Sequence, residues 1–210
     1  MVLIFQLIVL IFSVMVHEIS HGIVAYKLGD DTAKAMGRLN FNPLKHLDPM
    51  GSFILPVFLI LMNSPILFGW AKPVPYNPNN LKDPKKGAAL IALAGPMSNL
   101  VLAVIFSGLI QLLGPFADTL GEAAVALLQF FNIIVFINIL LAVFNLVPIP
   151  PLDGSKLLFS VLPWRYIGIQ QFLERYGMFI LIIFIFFGFG LIIPAIWGLY
   201  HLLTAPFSIF

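Results

Sequence analysis

Cysteine is absent from the chain, so neither a disulfide nor a thiolate metal ligand is available to it. Any metal must be held by imidazole, carboxylate or carbonyl groups. Charge is scarce as well: only 10% of the 210 residues are Asp, Glu, Lys or Arg, against roughly a quarter in a soluble domain. So few charges cannot cover a globule of this size. With 60% hydrophobic residues and a mean hydropathy of +1.04, lipid is the expected main solvent. A basic stripe is missing too. The eleven Lys and Arg are scattered through short segments between apolar runs, so the net charge of +2 does not indicate nucleic acid. The amino terminus has neither a positive leading region nor a small-residue cleavage site, and residues 2–16 are expected to be a retained span. No linker, low-complexity tract or internal repeat divides the sequence, and residues 1–210 read as a single integral membrane domain.

Long apolar runs are what the chain does have. Spans are expected at about 2–28, 87–113, 123–147 and 177–193, which makes the fold class an all-α polytopic membrane protein. Segment 51–70 is apolar but broken by Pro56, Asn63-Ser64-Pro65 and Gly69, and 195–210 reads as amphipathic or half-inserted. Lys72, Lys82, Lys85 and Lys86 lie in 71–86, and 152–176 is also basic, whereas 114–122 carries Asp118 and Glu122. The positive-inside bias puts the first two segments in the cytoplasm and the third outside. If the first helix also ends in the cytoplasm, 51–70 cannot cross once, and a re-entrant or short β element is expected there. Trp70, Trp164 and Trp197 near span ends read as interface anchors.

Within the first span stands His17-Glu18-Ile19-Ser20-His21. Positions i and i+4 share a helix face, so both imidazoles can reach one Zn²⁺, with Glu18 beside them as a base for water. Two His and a Glu in an apolar span are costly unless they have partners, which disfavours chance. A catalytic zinc needs a third protein ligand and an open position. The candidates are His46, His201, Asp30, Asp31, Asp48, Asp83, Asp118, Glu122, Asp153 and Glu174. Asp153 stands out because it follows an apolar span and the turn Pro148-Ile149-Pro150-Pro151, with Gly154 after it. An Asp-Gly after prolines, taken alone, is only a turn.

The pairing of His17-Glu18-x-x-His21 with Asn145-x-x-Pro148-x-Pro150-x-Leu152-Asp153-Gly154 resembles the site-2 protease family of intramembrane metalloproteases. Ala94-Gly95-Pro96-x-x-Asn99 on the linking helix matches that family too. Gly37-Arg38-Leu39-Asn40-Phe41-Asn42-Pro43 and His46-Leu47-Asp48-Pro49-Met50-Gly51 are similar to stretches of its compact prokaryotic branch. The resemblance implies a three-helix catalytic core open to cytoplasmic water, with His17, His21 and Asp153 as zinc ligands and Glu18 as general base. It also implies a transmembrane protein as substrate and a multi-pass place in a prokaryotic cell membrane, among lipid. No PDZ or CBS domain of the larger relatives is expected within these 210 residues.

Lesser residues follow from the same reading. Asn99 and Asn145 read equally as substrate or oxyanion contacts and as inter-helix hydrogen bonds, and Asn138 as the latter. Residues 36–43 could offer an edge to unwound substrate by strand addition. His46 and Asp48 read as an interfacial turn rather than a second ligand pair, and His201 as an interfacial side chain. Two rival functions remain: a metal-binding transporter, which would need ligand sites along a path, and a non-catalytic scaffold, which has no need of Glu18.

Overall fold

Between Val2 and Val16 only Gln6 and Ser13 interrupt the apolar run, and in lipid a backbone must satisfy its own polar groups, so the chain closes into a helix. This is α1, Val2–Lys27, whose 26 residues extend about 39 Å. Its end is set by Gly29 at φ 106°. The Asp30 N–H donates to the Ala25 carbonyl at 3.0 Å and the Gly29 N–H to that of Tyr26 at 3.1 Å, the paired closure of a left-handed C-cap. The computed structural model describes residues 2–54, 57–58, 61–62 and 71–205, without the side chains of residues 3, 52, 53, 118 and 120.

Helix α2, Pro84–Leu113, starts where the Asp83 carboxylate accepts the Lys86 N–H at 3.0 Å and Pro84 takes the first position. Helix α3 is Glu122–Asn145, α4 is Asp153–Val161, α5 is Ile167–Ile183 and α6 is Ile193–Thr204. Helix α2 is central: it packs on α1, α3, α4 and α6, while α1 also touches α3 and α3 touches α6. Ala103 and Ile110 of α2, Leu128, Val135 and Ile139 of α3, and Ile196 and Tyr200 of α6 form the largest apolar core.

Among the described residues, four helical stretches are long and apolar enough to cross a membrane: Ile4–Lys27, Pro84–Phe116, Glu122–Asn145 and Trp164–Leu191. The chain is an integral multi-pass membrane protein. One boundary differs from expectation. The fourth stretch begins at Trp164 rather than near 177, because Arg165, Glu174 and Arg175 stay on the exposed surface of a continuing helix. Gln170 donates to Glu174 across one turn at 2.8 Å. Of the segment 195–210, residues 195–204 belong to α6, which packs in the bundle with the buried Tyr200 hydroxyl donating to Asn132 Oδ1 at 2.5 Å.

The element expected at 51–70 lies largely outside the described residues, as does Trp70. Pro49–Ile54 forms a π-helical turn, and no strand forms among the described residues. The chain leaves α1 and enters α2 at the same end of the bundle, since Asp30 accepts the Asn77 N–H at 2.8 Å.

Candidate metal centre

His17 and His21 lie one turn apart on α1 and both are buried, at 5% and 7% exposure. Each ring has its Nδ1 engaged. Asn99 Oδ1 of α2 accepts from His17 Nδ1 at 2.7 Å, and the Ile91 carbonyl, also on α2, accepts from His21 Nδ1 at 2.6 Å. A proton fixed on Nδ1 leaves the Nε2 lone pair as the coordinating one. Asn99 is fully buried and its amide nitrogen donates to Asn138 Oδ1 at 2.9 Å and to the Ser13 carbonyl at 3.3 Å. Asn138 in turn donates to Ser13 Oγ at 3.0 Å. Three helices therefore set the orientation of one ring.

Asp153 arrives from the other side. Leu152 is in extended conformation before α4, and Asp153 is the first helical residue, where the helix dipole favours a carboxylate. A side chain on Gly154 would collide with the carbonyls of Leu146 and Val147, so glycine lets α4 dock against the end of α3. Asp153 Oδ2 lies 3.0 Å from His17 Nε2 and 3.1 Å from His21 Nε2. Lys156 Nζ lies 3.5 Å from the other oxygen. Burial opposes ionisation of Asp153, but the two imidazoles and the Lys156 ammonium beside it outweigh burial and hold the carboxyl below the usual carboxylate range.

Donor chemistry and space both suit a divalent cation. Two imidazole lone pairs facing a carboxylate oxygen at this distance repel one another unless a proton or a metal lies between them. The three donor atoms lie within 4.8 Å of one another, and tetrahedral zinc with bonds of about 2.0–2.1 Å places its ligands roughly 3.3 Å apart. Across the gap stands Gly95 of α2. A Cβ there would come within 2.5 Å of Nε2 of both His17 and His21, filling the space an ion needs. Pro96 follows inside the helix and has no N–H to give the ladder. Glu18, the residue between the imidazoles in sequence, is half-buried, and its Oε2 accepts the Val74 N–H at 2.8 Å.

The other candidates are placed elsewhere. Of the two readings of Asn99, its fully buried amide is engaged as an inter-helix bond, between His17 and Asn138. Asn145 Nδ2 donates to the Leu141 carbonyl of its own helix at 2.9 Å. Buried His46 donates from Nε2 to the Asn40 carbonyl at 2.8 Å, and Asp48 Oδ1 accepts the Met50 and Gly51 N–H groups, as a turn requires. Segment 36–43 is not a strand: Asn42 caps a short turn over Pro43–Lys45, and Arg38 points inward. His201 is exposed and stacks on Trp197, and Trp164 is exposed beneath the Lys85 ammonium. Sequence reasoning missed the Ile91 carbonyl and the Val74 amide, which are backbone groups without a side-chain signature. Gly95 is legible as part of Ala94-Gly95-Pro96, and its role as a clearance appears only in three dimensions.

Relatives bear on this arrangement. The sequence model of peptidase family M50 matches residues 5–188. A Bacillus subtilis (strain 168) protein, provisionally named zinc metalloprotease YwhC, is 41% identical over 180 residues, 85% of this chain and 78% of its own. A Mycolicibacterium smegmatis protein, provisionally named zinc metalloprotease Rip2, is 33% identical over 142 residues, covering 68% of this chain and 51% of that one. The chain thus spans about half the length of Rip2. A Methanocaldococcus jannaschii protein, provisionally named zinc metalloprotease MJ0611, is 41% identical over 81 residues, 38% of each chain. No solved structure matches the chain. With a match over most of its length, and with the two motifs meeting at one buried cluster, the chain belongs to peptidase family M50, the site-2 protease family.

Proposed function

We propose that the chain is a zinc-dependent endopeptidase that hydrolyses peptide bonds of transmembrane segments within the bilayer. The observation that carries this reading is the convergence of His17 Nε2, His21 Nε2 and Asp153 Oδ2, with Glu18 next to the first ligand on α1. The zinc metalloprotease names of YwhC and Rip2 support the choice of metal. His17, His21 and Asp153 are its ligands, and helices α1, α2 and α3 are the catalytic core. Zinc bound there supplies a Lewis acid for the scissile carbonyl and makes water nucleophilic near neutral pH.

The protein's own groups do the rest. Asn99 and the Ile91 carbonyl keep the imidazoles in the coordinating tautomer. Glu18 takes the proton of the attacking water on its second carboxylate oxygen, Oε1, and returns it to the departing amine. His21 lies six residues before the end of α1, roughly 9 Å along the axis, so the cluster sits inside the membrane near the basic end. That end faces the cytoplasm of a prokaryotic cell in this reading, and 51–70 re-enters from the same side. A transmembrane substrate reaches the site through lipid and must unwind locally, because a helix hides its amides.

Glu18→Gln is the test. Purified in detergent, the variant should keep its zinc and lose cleavage of a transmembrane substrate by about a hundredfold or more. Normal cleavage by this variant would sink the proposal.

A further inference from the structure

Residues 71–77, Ala-Lys-Pro-Val-Pro-Tyr-Asn, cross the end of α1 beside the His–Asp cluster without regular secondary structure. Five features hold this segment. At its near end the buried Arg38 donates from Nη2 to the Lys72 carbonyl at 2.9 Å and the Pro73 carbonyl at 3.1 Å, and from Nη1 to that of Lys45. The Lys72 N–H donates to the His46 carbonyl at 2.9 Å. At its far end Asp30, fully buried, accepts the Asn77 N–H at 2.8 Å and Asn80 Nδ2 at 2.7 Å. In the middle Val74 sits over Gly22, where a Cβ would come within 2.9 Å of Val74 Cγ1. Tyr76 packs against Ala25, Leu81 and Ile91, and the Lys156 ammonium that touches Asp153 lies 5.7 Å from its ring centre.

Pro73 and Pro75 have no N–H. The Val74 amide is therefore the only backbone donor between Lys72 and Tyr76, and it goes to Glu18 Oε2 at 2.8 Å. A segment anchored by a guanidinium at one end and a buried carboxylate at the other delivers a single hydrogen bond to the base.

We propose that residues 72–77 are a positioning strap for Glu18. The Val74 N–H pins one carboxylate oxygen so that the other faces the attacking water, and Arg38 and Asp30 are the positioning residues that tension the strap. The inference rests on the proposed role of Glu18 as general base. A reacting group misplaced by about 1 Å can lose a hundredfold in rate, so the strap is expected to act on kcat.

The experiment replaces Val74 by its α-hydroxy acid, which exchanges one N–H for an ester oxygen and leaves the side chain in place. The expected result is a fall in kcat of about ten- to a hundredfold, with KM and zinc content unchanged. Arg38→Met should lower kcat similarly and speed amide exchange across 71–77, with Arg38→Lys recovering part of the loss. Combined with the ester, Arg38→Met should add little further, because both act through one bond. An unchanged kcat in the ester protein, or a loss in KM alone, overturns the strap, as do fully additive losses. If Arg38→Met fails to fold, the ester protein decides by itself. Glu18→Gln separates the two claims: if it is inactive while the ester protein is normal, only the strap falls, and if it is active the proposed function falls first.

Discussion

Inside the bundle, His17 is held by Asn99, which is held by Ser13 and Asn138, so side chains on three helices fix one ring. At the polar end Glu18 is held by a backbone N–H, and the segment that carries it is anchored by Arg38 and Asp30 through carbonyls and amides. The first network is as rigid as the helix packing around it. The second depends on where a loop lies. Damage to the first should therefore show as lost metal, and damage to the second as lost rate with metal retained.

The sharpest separation comes from the ion's own space. Asp153→Ala removes a donor, and Gly95→Ala puts a methyl against both imidazoles; each should bring bound zinc in the purified protein close to background, read by elemental analysis. Retention of full zinc by Gly95→Ala would show that α2 does not bound the site. Next in size is Asn99→Ala, which unlocks the His17 tautomer and should weaken zinc about ten- to a hundredfold in chelator competition, with Asn138→Ala costing less. An equal zinc affinity in Asn99→Ala would break the comparison from the bundle side.

At the polar end the effect is smaller and depends on pH. Burial raises the pKa of Asp30, but hydrogen bonds from Thr32, Asn77 and Asn80 outweigh it and hold the carboxyl below its ordinary 3.8. A depressed folded pKa means that the stabilisation is complete above the ordinary value and is lost as pH falls through the folded one. Protection of the Asn77 amide should thus be high at neutral pH and fall in acid. Asp30→Asn should lower it about tenfold at neutral pH, the gap closing in acid. Smallest is Tyr200→Phe, which removes the bond to Asn132 far from the cluster. It should cost about 0.6–1 kcal/mol of stability and leave zinc and rate alone.

Legibility in the sequence follows the same division. His17, Glu18 and His21 are readable because helical spacing by itself puts two imidazoles on one face. Asp153 is a turn residue by its local sequence; its place just after an apolar span made it stand out among the candidates, and the family resemblance gave it the ligand role. The four membrane-length helices among the described residues were readable from apolar runs, but the start of the fourth was not, since Arg165, Glu174 and Arg175 interrupt a hydropathy run without interrupting the helix. For Asn99 the sequence left substrate contact and inter-helix bonding level: the spacing shows an amide in a span, while its neighbours are set by the packing of α1 on α2. The strap was invisible, because Val74 contributes an amide that every residue but proline has, and Asp30 meets Asn77 across a long segment.

Zinc K-edge X-ray absorption on the purified wild-type protein, with Asp153→Ala and His21→Ala beside it, tests the central claim most directly. The account predicts about one zinc per chain in a low-coordinate shell of two imidazoles with oxygen donors, lost in both variants. A shell without imidazole, or one that persists unchanged in either variant, would contradict it.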